Sequence, residues 1–316
     1  MRIALTYNEK RSAAEAHAEF DTREAIATLA AIVAGCGHEV VPIDVSGSIP
    51  QLVERLQRLT PALVLNLAEG EHGNFREAFY PALFEQLGLA HTGSSAGTLA
   101  LCLDKALAKR VVAAAGVRVP REAQTTPAVV KPNFEGSSKG VTLVPRGGSI
   151  AAAVNAARAR YPAGVIVEEL VEGIDVAVAW FAGLGQLPAI AMRYPGAIYD
   201  YALKHVTPEL VELEIPARLP ATTRRRLCTA ASRAFAALGV TTYGRADFRV
   251  TPDGDAVFLE MNPLPSLTHA KGHDELYLAA ARAGWSPAEL IGSILSPSAP
   301  RRPSRSHLWR RQRASA

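Results

Sequence analysis

The pair Asp253-Gly254 separates two β-rich runs inside the segment Gly244–Asn262. Asp-Gly in that setting is the strongest short hairpin signal, because both central residues of the turn tolerate positive φ. With these two as the loop, Asp247 faces Glu260 across the ladder and Arg245 faces Asn262. Directly opposed residues share a sheet face, with Cβ atoms roughly 5 Å apart. Alternation adds Asn262 to the face of Glu260 and turns Val257 and Leu259 to the other. Two like charges in opposition destabilise a hairpin unless a cation lies between them. Two carboxylates and an amide form an oxygen-only donor set suited to Mg2+, which usually keeps waters and also binds substrate phosphates. The hairpin therefore reads as a Mg2+–nucleotide platform. The competing reading is a solvated surface hairpin with coincidental acids.

Upstream, Ile3–Tyr7, Glu39–Val45 and Ala62–Leu67 read as strands alternating with helices over 22–36 and 50–59, which predicts a parallel, doubly wound sheet. Residues 77–88 read as helical and 88–93 as a short strand and turn. A helix capped by Ser94 or Ser95 is expected to run to about Ala115, with Leu99, Leu103, Leu107 and Val111 at helical spacing. Strands at 128–131, 141–144, 165–169 and 175–181 follow, with a helix at 149–160 among them. A helix over 222–238 leads into the hairpin, and Ser286-Pro287 opens the last one. The expected units are 1–93, a parallel α/β domain; 94–181, a central α+β unit; 182–296, a C-terminal α+β unit holding the hairpin; and a 297–316 tail.

The formal charge of +4 belongs to that tail. Residues 301–316 carry six arginines and no acid, leaving the preceding 300 residues at −2. The tail is expected to stay unstructured, and a nucleic-acid or membrane role for it is disfavoured. The three cysteines, Cys36, Cys102 and Cys228, form no metal-binding or disulfide pattern. The N-terminus is interrupted too soon for a signal peptide, and no apolar run reaches 18 residues. A reducing cytoplasm is the expected compartment, with no membrane role.

Lysine is scarce, seven against 27 arginines, so a retained lysine asks for a reason. Lys105, Lys131 and Lys204 fall where a nucleotide site could use a compact ammonium as a point charge on phosphate. Lys109, Lys139 and Lys271 read as solvated surface residues. The Lys131–Gly140 stretch is a glycine/serine loop whose N–H groups could close over phosphates; it is not a Walker loop. At Val165–Asp175, Glu168 could receive an adenine amino group and Asp175 could accept ribose hydroxyls. Alternatively these are exposed loop acids.

In this order the segments resemble the ATP-grasp superfamily, and within it the D-alanine–D-alanine ligase family. The resemblance spans about residues 60–292 and rests on His91-Thr-Gly-Ser, Leu103-Asp-Lys105, Val130-Lys-Pro…Glu135-Gly-Ser-Ser, Tyr199-Asp-Tyr…Lys204, Arg245-Ala-Asp247 and Leu259-Glu-Met-Asn262. It implies an ATP-grasp fold, a parallel α/β domain plus two α+β subdomains sandwiching ATP. Lys105, Lys131 and Lys204 would contact phosphates, and Glu168, Glu169, Val171 and Asp175 would surround adenosine. The Gly136–Gly140 loop, with Ser137 and Ser138, would cover the γ-phosphate. Asp247, Glu260 and Asn262 would hold two Mg2+ ions, with Mn2+ as a substitute, and Arg245 would stabilise an oxyanion. The implied reaction is ADP-forming: a carboxylate takes the γ-phosphoryl group, and an amine then displaces phosphate. A homodimer fits the resemblance.

The departures lie on the substrate side. The family's Gly-Gly-x-Ser-x-Glu segment finds no counterpart in Tyr7–Asp21, and His205 replaces the tyrosine after the third lysine. Asn66–Arg76 replaces the family's His-Gly…Gly-Glu-Asp-Gly stretch. Pro263–Thr268 replaces Thr-Ser-Pro-Gly-Met-Thr, putting Ser266 at a glycine whose N–H holds the oxyanion. Glu69, Arg76, Ser137, His205 and Ser266 are the candidate substrate contacts. The favoured expectation is a ligase of the same chemistry on a different amino-acid-like acid or amine. A genuine D-alanine–D-alanine ligase is the first alternative and a non-catalytic ATP-binding module the second.

Overall fold

The structure, a computed structural model, describes residues 1–268 and 275–296. Lys271 and the 297–316 tail, both subjects of sequence expectations, lie outside the described residues. Three sheets organise the chain. In the first, β1 (Arg2–Tyr7) lies between β2 (Glu39–Asp44) and β3 (Leu63–Leu67), all parallel. Near-continuous apolar runs are what strands covered on both faces require, and Ile3, Leu5, Val64 and Leu65 are fully buried. Helices α1 (Arg23–Gly35), α2 (Ile49–Leu59) and α3 (Arg76–Gln86) complete this unit. At the carboxyl end of β1, Asn8 Oδ1 accepts the N–H groups of Glu69 and Gly70, both at 3.0 Å. That pins the turn after β3 where α/β sheets present their ligand sites. Of the expected strand at 88–93, only a single bridge, Val64 to His91, forms.

The single helix expected from Ser95 to Ala115 is two: α4 (Ala96–Leu103) and α5 (Lys105–Ala114). Asp104 breaks the run in an extended conformation (ψ 90°) and caps α5 by accepting the Leu107 N–H. Aspartate favours such a cap over a helix interior because its carboxylate competes for backbone donors. Periodicity continued through the break and concealed it; its consequence is that Lys105 starts a helix rather than riding in the middle of one.

The second sheet orders β4 (Ala128–Pro132) between β5 (Thr142–Val144) and β6 (Val165–Glu169), covered by α6 (Ile150–Arg160). In the third, β7 (Ile174–Phe181), β8 (Gly185–Gln186), β9 (Ile190–Arg193) and β10 (Glu212–Glu214) join β11 (Tyr243–Val250) and β12 (Ala256–Asn262) in antiparallel pairings. β7 was expected in the central unit; it pairs instead with β11 and β9, in the sheet that carries the hairpin. Helix α7 (Tyr201–His205) precedes β10, and α8 (Ala221–Leu238) covers the third sheet. Helices α9 (Glu275–Arg282) and α10 (Pro287–Leu295) close the chain, α10 with a complete Ser286/Glu289 capping box. One apolar core joins β1, β3 and α1 to β7, β11 and α10 through Leu5, Leu65, Phe181, Tyr243 and Leu290.

The hairpin corrects its own sequence reading in an instructive way. Asp247 pairs with Glu260 and Arg245 with Asn262, as expected. Toward the turn the register is one residue different, Phe248 opposite Phe258 and Val250 opposite Ala256. The loop is not two residues. Thr251 N–H donates to Asp255 O and Gly254 N–H to Thr251 O, and only Gly254 has positive φ (+83°). Pro252 favours that turn by fixing φ at its second position. A bulge at Leu259 restores the register, so the opposition of the two acids is set by turn and bulge together. Leu259, expected on the opposite face, lines the cleft beside Glu260.

Candidate active site

Two cavities meet along one charged wall. The first, of about 310 Å3, is lined by Lys105, Lys131, Ser138, Glu168, Glu169, Val171, Asp175, Lys204, Asp247 and Glu260. The second, about 350 Å3, is lined by Glu19, Asp21, Glu69, Glu77, Gly136, Ser137, His205, Asn262 and Ser266. Lys105, Lys204, Arg245 and Glu260 line both. Residues from five separated segments thus converge, and the expected nucleotide and substrate groups sort mostly to opposite sides of that wall.

Arg245, Asp247 and Arg249 alternate along β11, so period two puts them on one face. Arg245 forms a bidentate pair with Asp247 at 2.8 and 2.9 Å and reaches Glu275 at 3.3 Å. Glu260 faces the ammonium of Lys105 at 3.4 Å. Burial disfavours the Glu260 anion, but Lys105, Lys131, Lys204 and Arg245 outweigh it and hold the carboxyl at about 2. Asn262 Oδ1 accepts the Leu264 N–H at 2.9 Å, which fixes its amide. Oxygen donors of Asp247, Glu260 and Asn262 on adjacent, register-locked strands fit a hard divalent cation.

Around the first cavity, Lys109 and Lys139 are not solvated lysines. They are 5 % and 7 % exposed. Glu168 accepts Lys109 and, at 2.6 Å, Lys131. Burial and the neighbouring Lys131 ammonium push the Lys109 amine down to about 7. The Glu168 carboxylate is thus committed to two lysines rather than open to an adenine amino group. Glu169 is held by Arg121 at 2.9 and 2.6 Å. Both Asp175 oxygens are engaged, one by Arg249 at 2.8 Å and the other by the Tyr194 hydroxyl. Lys105 donates to the Glu135 carbonyl, which ties α5 to the glycine/serine loop.

That loop is held from outside by Glu19, in the connection between β1 and α1. Its carboxylate accepts Arg76 at 2.9 Å and Lys139 at 2.7 Å. A Cβ on Gly136 would lie 1.8 Å from Glu19 Oε1, so any larger residue there has to displace the carboxylate. Ser137 and Ser138 take φ of +51° and +56°, a region L-residues occupy at roughly 1 kcal/mol each or more. Arg76, an expected substrate contact, does not line the second cavity. Its guanidinium is buried and spent on Glu19 and the Phe134 carbonyl.

The second cavity is acidic. Glu19, Glu69 and Glu77 present carboxylate oxygens within 4.8 Å of one another. Burial and the facing Glu77 and Glu19 push Glu69 well up, and burial raises Glu77 to about 7 despite Arg76. Burial also lifts Asp21 to about 6 while Thr268 donates to it at 2.8 Å. His205 packs its ring on Tyr201, centroids 4.5 Å apart. Ser266 has negative φ, so the serine sits without backbone strain at the position expected for a glycine, and its hydroxyl bonds that of Thr268 at 2.9 Å.

The D-ala D-ala ligase C-terminus family profile matches residues 90–296, two thirds of the chain. The chain belongs to the D-alanine–D-alanine ligase family. Among its relatives, the D-alanine–D-alanine ligase of Citrifermentans bemidjiense is 33 % identical over 270 residues, 82 % of this chain and 85 % of the relative. The enzyme of the same description from Pseudomonas putida is 29 % identical over 311 residues, covering 94 % and 93 %. In fold, the D-alanine–D-alanine ligase of Bacillus anthracis superposes with a TM-score of 0.74 at 24 % identity, covering 94 % and 96 %. The VanG D-Ala:D-Ser ligase of Enterococcus faecalis gives 0.71 at 22 %, covering 93 % and 98 %. Family membership accounts for the ATP-grasp architecture and the hairpin.

Several residues of the site escaped sequence reading. Glu19, Asp21 and Glu77 look like ordinary surface acids until the β1–α1 connection and α3 meet around the second cavity. Lys109 could have been suspected, since it follows Lys105 by one helical turn. Among the described residues, no helix is long and apolar enough to cross a membrane.

Proposed function

We propose that this chain joins the carboxylate of one amino-acid-like substrate to the amine of another, using ATP and an acyl-phosphate intermediate. The observation that carries the reading is the shared wall: Lys105, Lys204, Arg245 and Glu260 face both cavities. A nucleotide in the first and a carboxylate in the second would meet across one set of charges.

ATP lies in the first cavity with adenosine toward Val171 and its phosphates toward Lys105, Lys131 and Lys204. These ammonium groups neutralise charge on the transferring phosphoryl group, where fixed charges in a dry site act most strongly. The substrate carboxylate attacks the γ-phosphorus and ADP leaves. The amine then attacks the acyl carbon, loses a proton, and phosphate departs with the bonding pair. Arg245 stands at the junction to stabilise the oxyanion, its orientation fixed by Asp247 and Glu275. Asp247, Glu260 and Asn262 would hold Mg2+, which supplies further charge neutralisation at the phosphates when bound. Ser137, Ser138 and the rest of the loop, braced by Glu19, shield the acyl phosphate from water. The carboxyl-rich second cavity suits the ammonium of an amino acid, with His205 and Ser266 at its rim. A homodimer is part of the reading.

A phosphate-release screen over D- and L-amino acids, singly and in pairs, tests this. Release with at least one pair is expected, and Asp247→Asn or Glu260→Gln should abolish this Mg2+-dependent release. Full turnover in either variant would overturn the reading. D-alanine alone giving the dipeptide at full rate would favour a genuine D-alanine–D-alanine ligase, a reading supported by the relatives' names and opposed by the departures at 7–21, 66–76, 205 and 266.

A further inference from the structure

Arg249 belongs to none of the roles assigned above, yet it is 8 % exposed and lines the nucleotide cleft. It lies on the cleft face of β11, directly across the ladder from Asp175 on β7. Its guanidinium reaches three separate segments. Nε donates to the Val171 carbonyl at 3.1 Å, in the turn between β6 and β7. Nη1 donates to Asp175 Oδ1 at 2.8 Å and to the Tyr194 hydroxyl at 2.7 Å. Nη2 donates to the Ala197 carbonyl. The Tyr194 hydroxyl in turn donates to the second Asp175 oxygen, closing the set.

The segment captured in this way leads to the phosphate end of the site. Tyr194 stacks on Tyr199, with centroids 5.3 Å apart and planes 25° from parallel. Asp200, the next residue, caps α7 by accepting the Leu203 N–H at 2.9 Å. Lys204 follows on that same short helix and lines both cavities. Val171, Asp175, Tyr199 and Lys204 all line this one cleft.

We infer that Arg249 is a positioning residue that fastens the Tyr194–Lys204 segment to the Val171–Asp175 turn, so that adenosine binding and the placement of Lys204 depend on one guanidinium. The inference rests on the nucleotide-cleft reading and adds to it a residue that touches no reacting atom. It also reassigns Asp175: its carboxylate anchors Arg249 and Tyr194. Only a planar fork meets acceptors in three segments at once; a lysine offers three donors at one point and cannot span them. Five N–H donors in a buried setting with four bonds made also explain how the arginine is kept there.

The test uses the full chain with Arg249→Lys, Arg249→Met and Tyr194→Phe. Equilibrium binding of ATP with Mg2+ is measured without amino acids, alongside melting temperature and the separate KM values in phosphate release. Arg249→Lys and Arg249→Met are expected to weaken ATP binding by 10-fold or more and to lower kcat, with KM for the amino-acid substrates changing by less than about twofold. Tyr194→Phe, which removes one hydroxyl, should weaken ATP binding about threefold and keeps the inference testable if the arginine variants fail to fold. Full rescue by lysine, or ATP binding within twofold of the parent in all variants, would overturn it. A parent chain that binds no ATP would instead sink the nucleotide-cleft assignment, and this inference with it; that outcome is recognisable because the parent itself fails.

Discussion

Replacing Glu19 by Gln removes one charge and keeps the side chain's shape. The carboxylate is the shared acceptor of Arg76 and Lys139, and the three side chains are 12 %, 8 % and 7 % exposed. Breaking a buried ion pair from one side costs roughly 3–5 kcal/mol, because the partner charge is left uncompensated. Arg76 keeps the Phe134 carbonyl and Lys139 keeps Glu135 at 2.8 Å, which argues for the low end. A second route gives the same size. Burial opposes the Glu19 anion, but Arg76 and Lys139 hold its carboxyl at about 2 rather than 4.5. That difference corresponds to about 3 kcal/mol favouring the ionised folded state. A carboxyl depressed by folding contributes stability above its unfolded value and loses it on acidification. The parent's advantage over Glu19→Gln should therefore be about 3 kcal/mol at pH 7 and shrink as pH falls from about 4.5 toward 2. If the loss falls on the closed loop instead of the whole fold, it appears as a rise of up to about 100-fold in KM for ATP. Urea denaturation from pH 7 to pH 3, paired with ATP kinetics at pH 7, reads both. Equal stability and equal KM at pH 7, or a gap that does not narrow on acidification, would refute the bracing role of Glu19.

Gly136→Ala puts a methyl group 1.8 Å from Glu19 Oε1, on a carboxylate whose other oxygen is held by Arg76 and Lys139. ATP binding should weaken about 10-fold or more, and the Glu19→Ala background should relieve most of that loss; additive effects in the double-mutant cycle would count against the contact. Asp21→Asn keeps the acceptor for Thr268 but removes a charge that burial disfavours. Because the folded Asp21 carboxyl stays protonated up to about pH 6, parent stability falls as pH rises through the range from about 4 to 6. The variant should escape that fall and be more stable at pH 7 by on the order of 2 kcal/mol; a thermal melt series from pH 4 to 7 in which both chains run parallel would exclude this.

Local signals fixed much of this protein. Apolar runs and caps located the three parallel strands and most helices, because burial of a 2.0 or 3.6 repeat is written into the order of residues. The opposition of Asp247 and Glu260 was legible from the hairpin. Its cause was not: the turn displaced the register by one residue and the Leu259 bulge restored it. The helix break at Asp104 was hidden because apolar spacing ran through it. Above all, the acids of the second cavity and the grip of Glu19 on the Gly136 loop join residues far apart in the chain. Only the folded molecule decides which charges lose their water together, and that loss is what turned ordinary-looking Glu19, Lys109 and Arg249 into parts of the site.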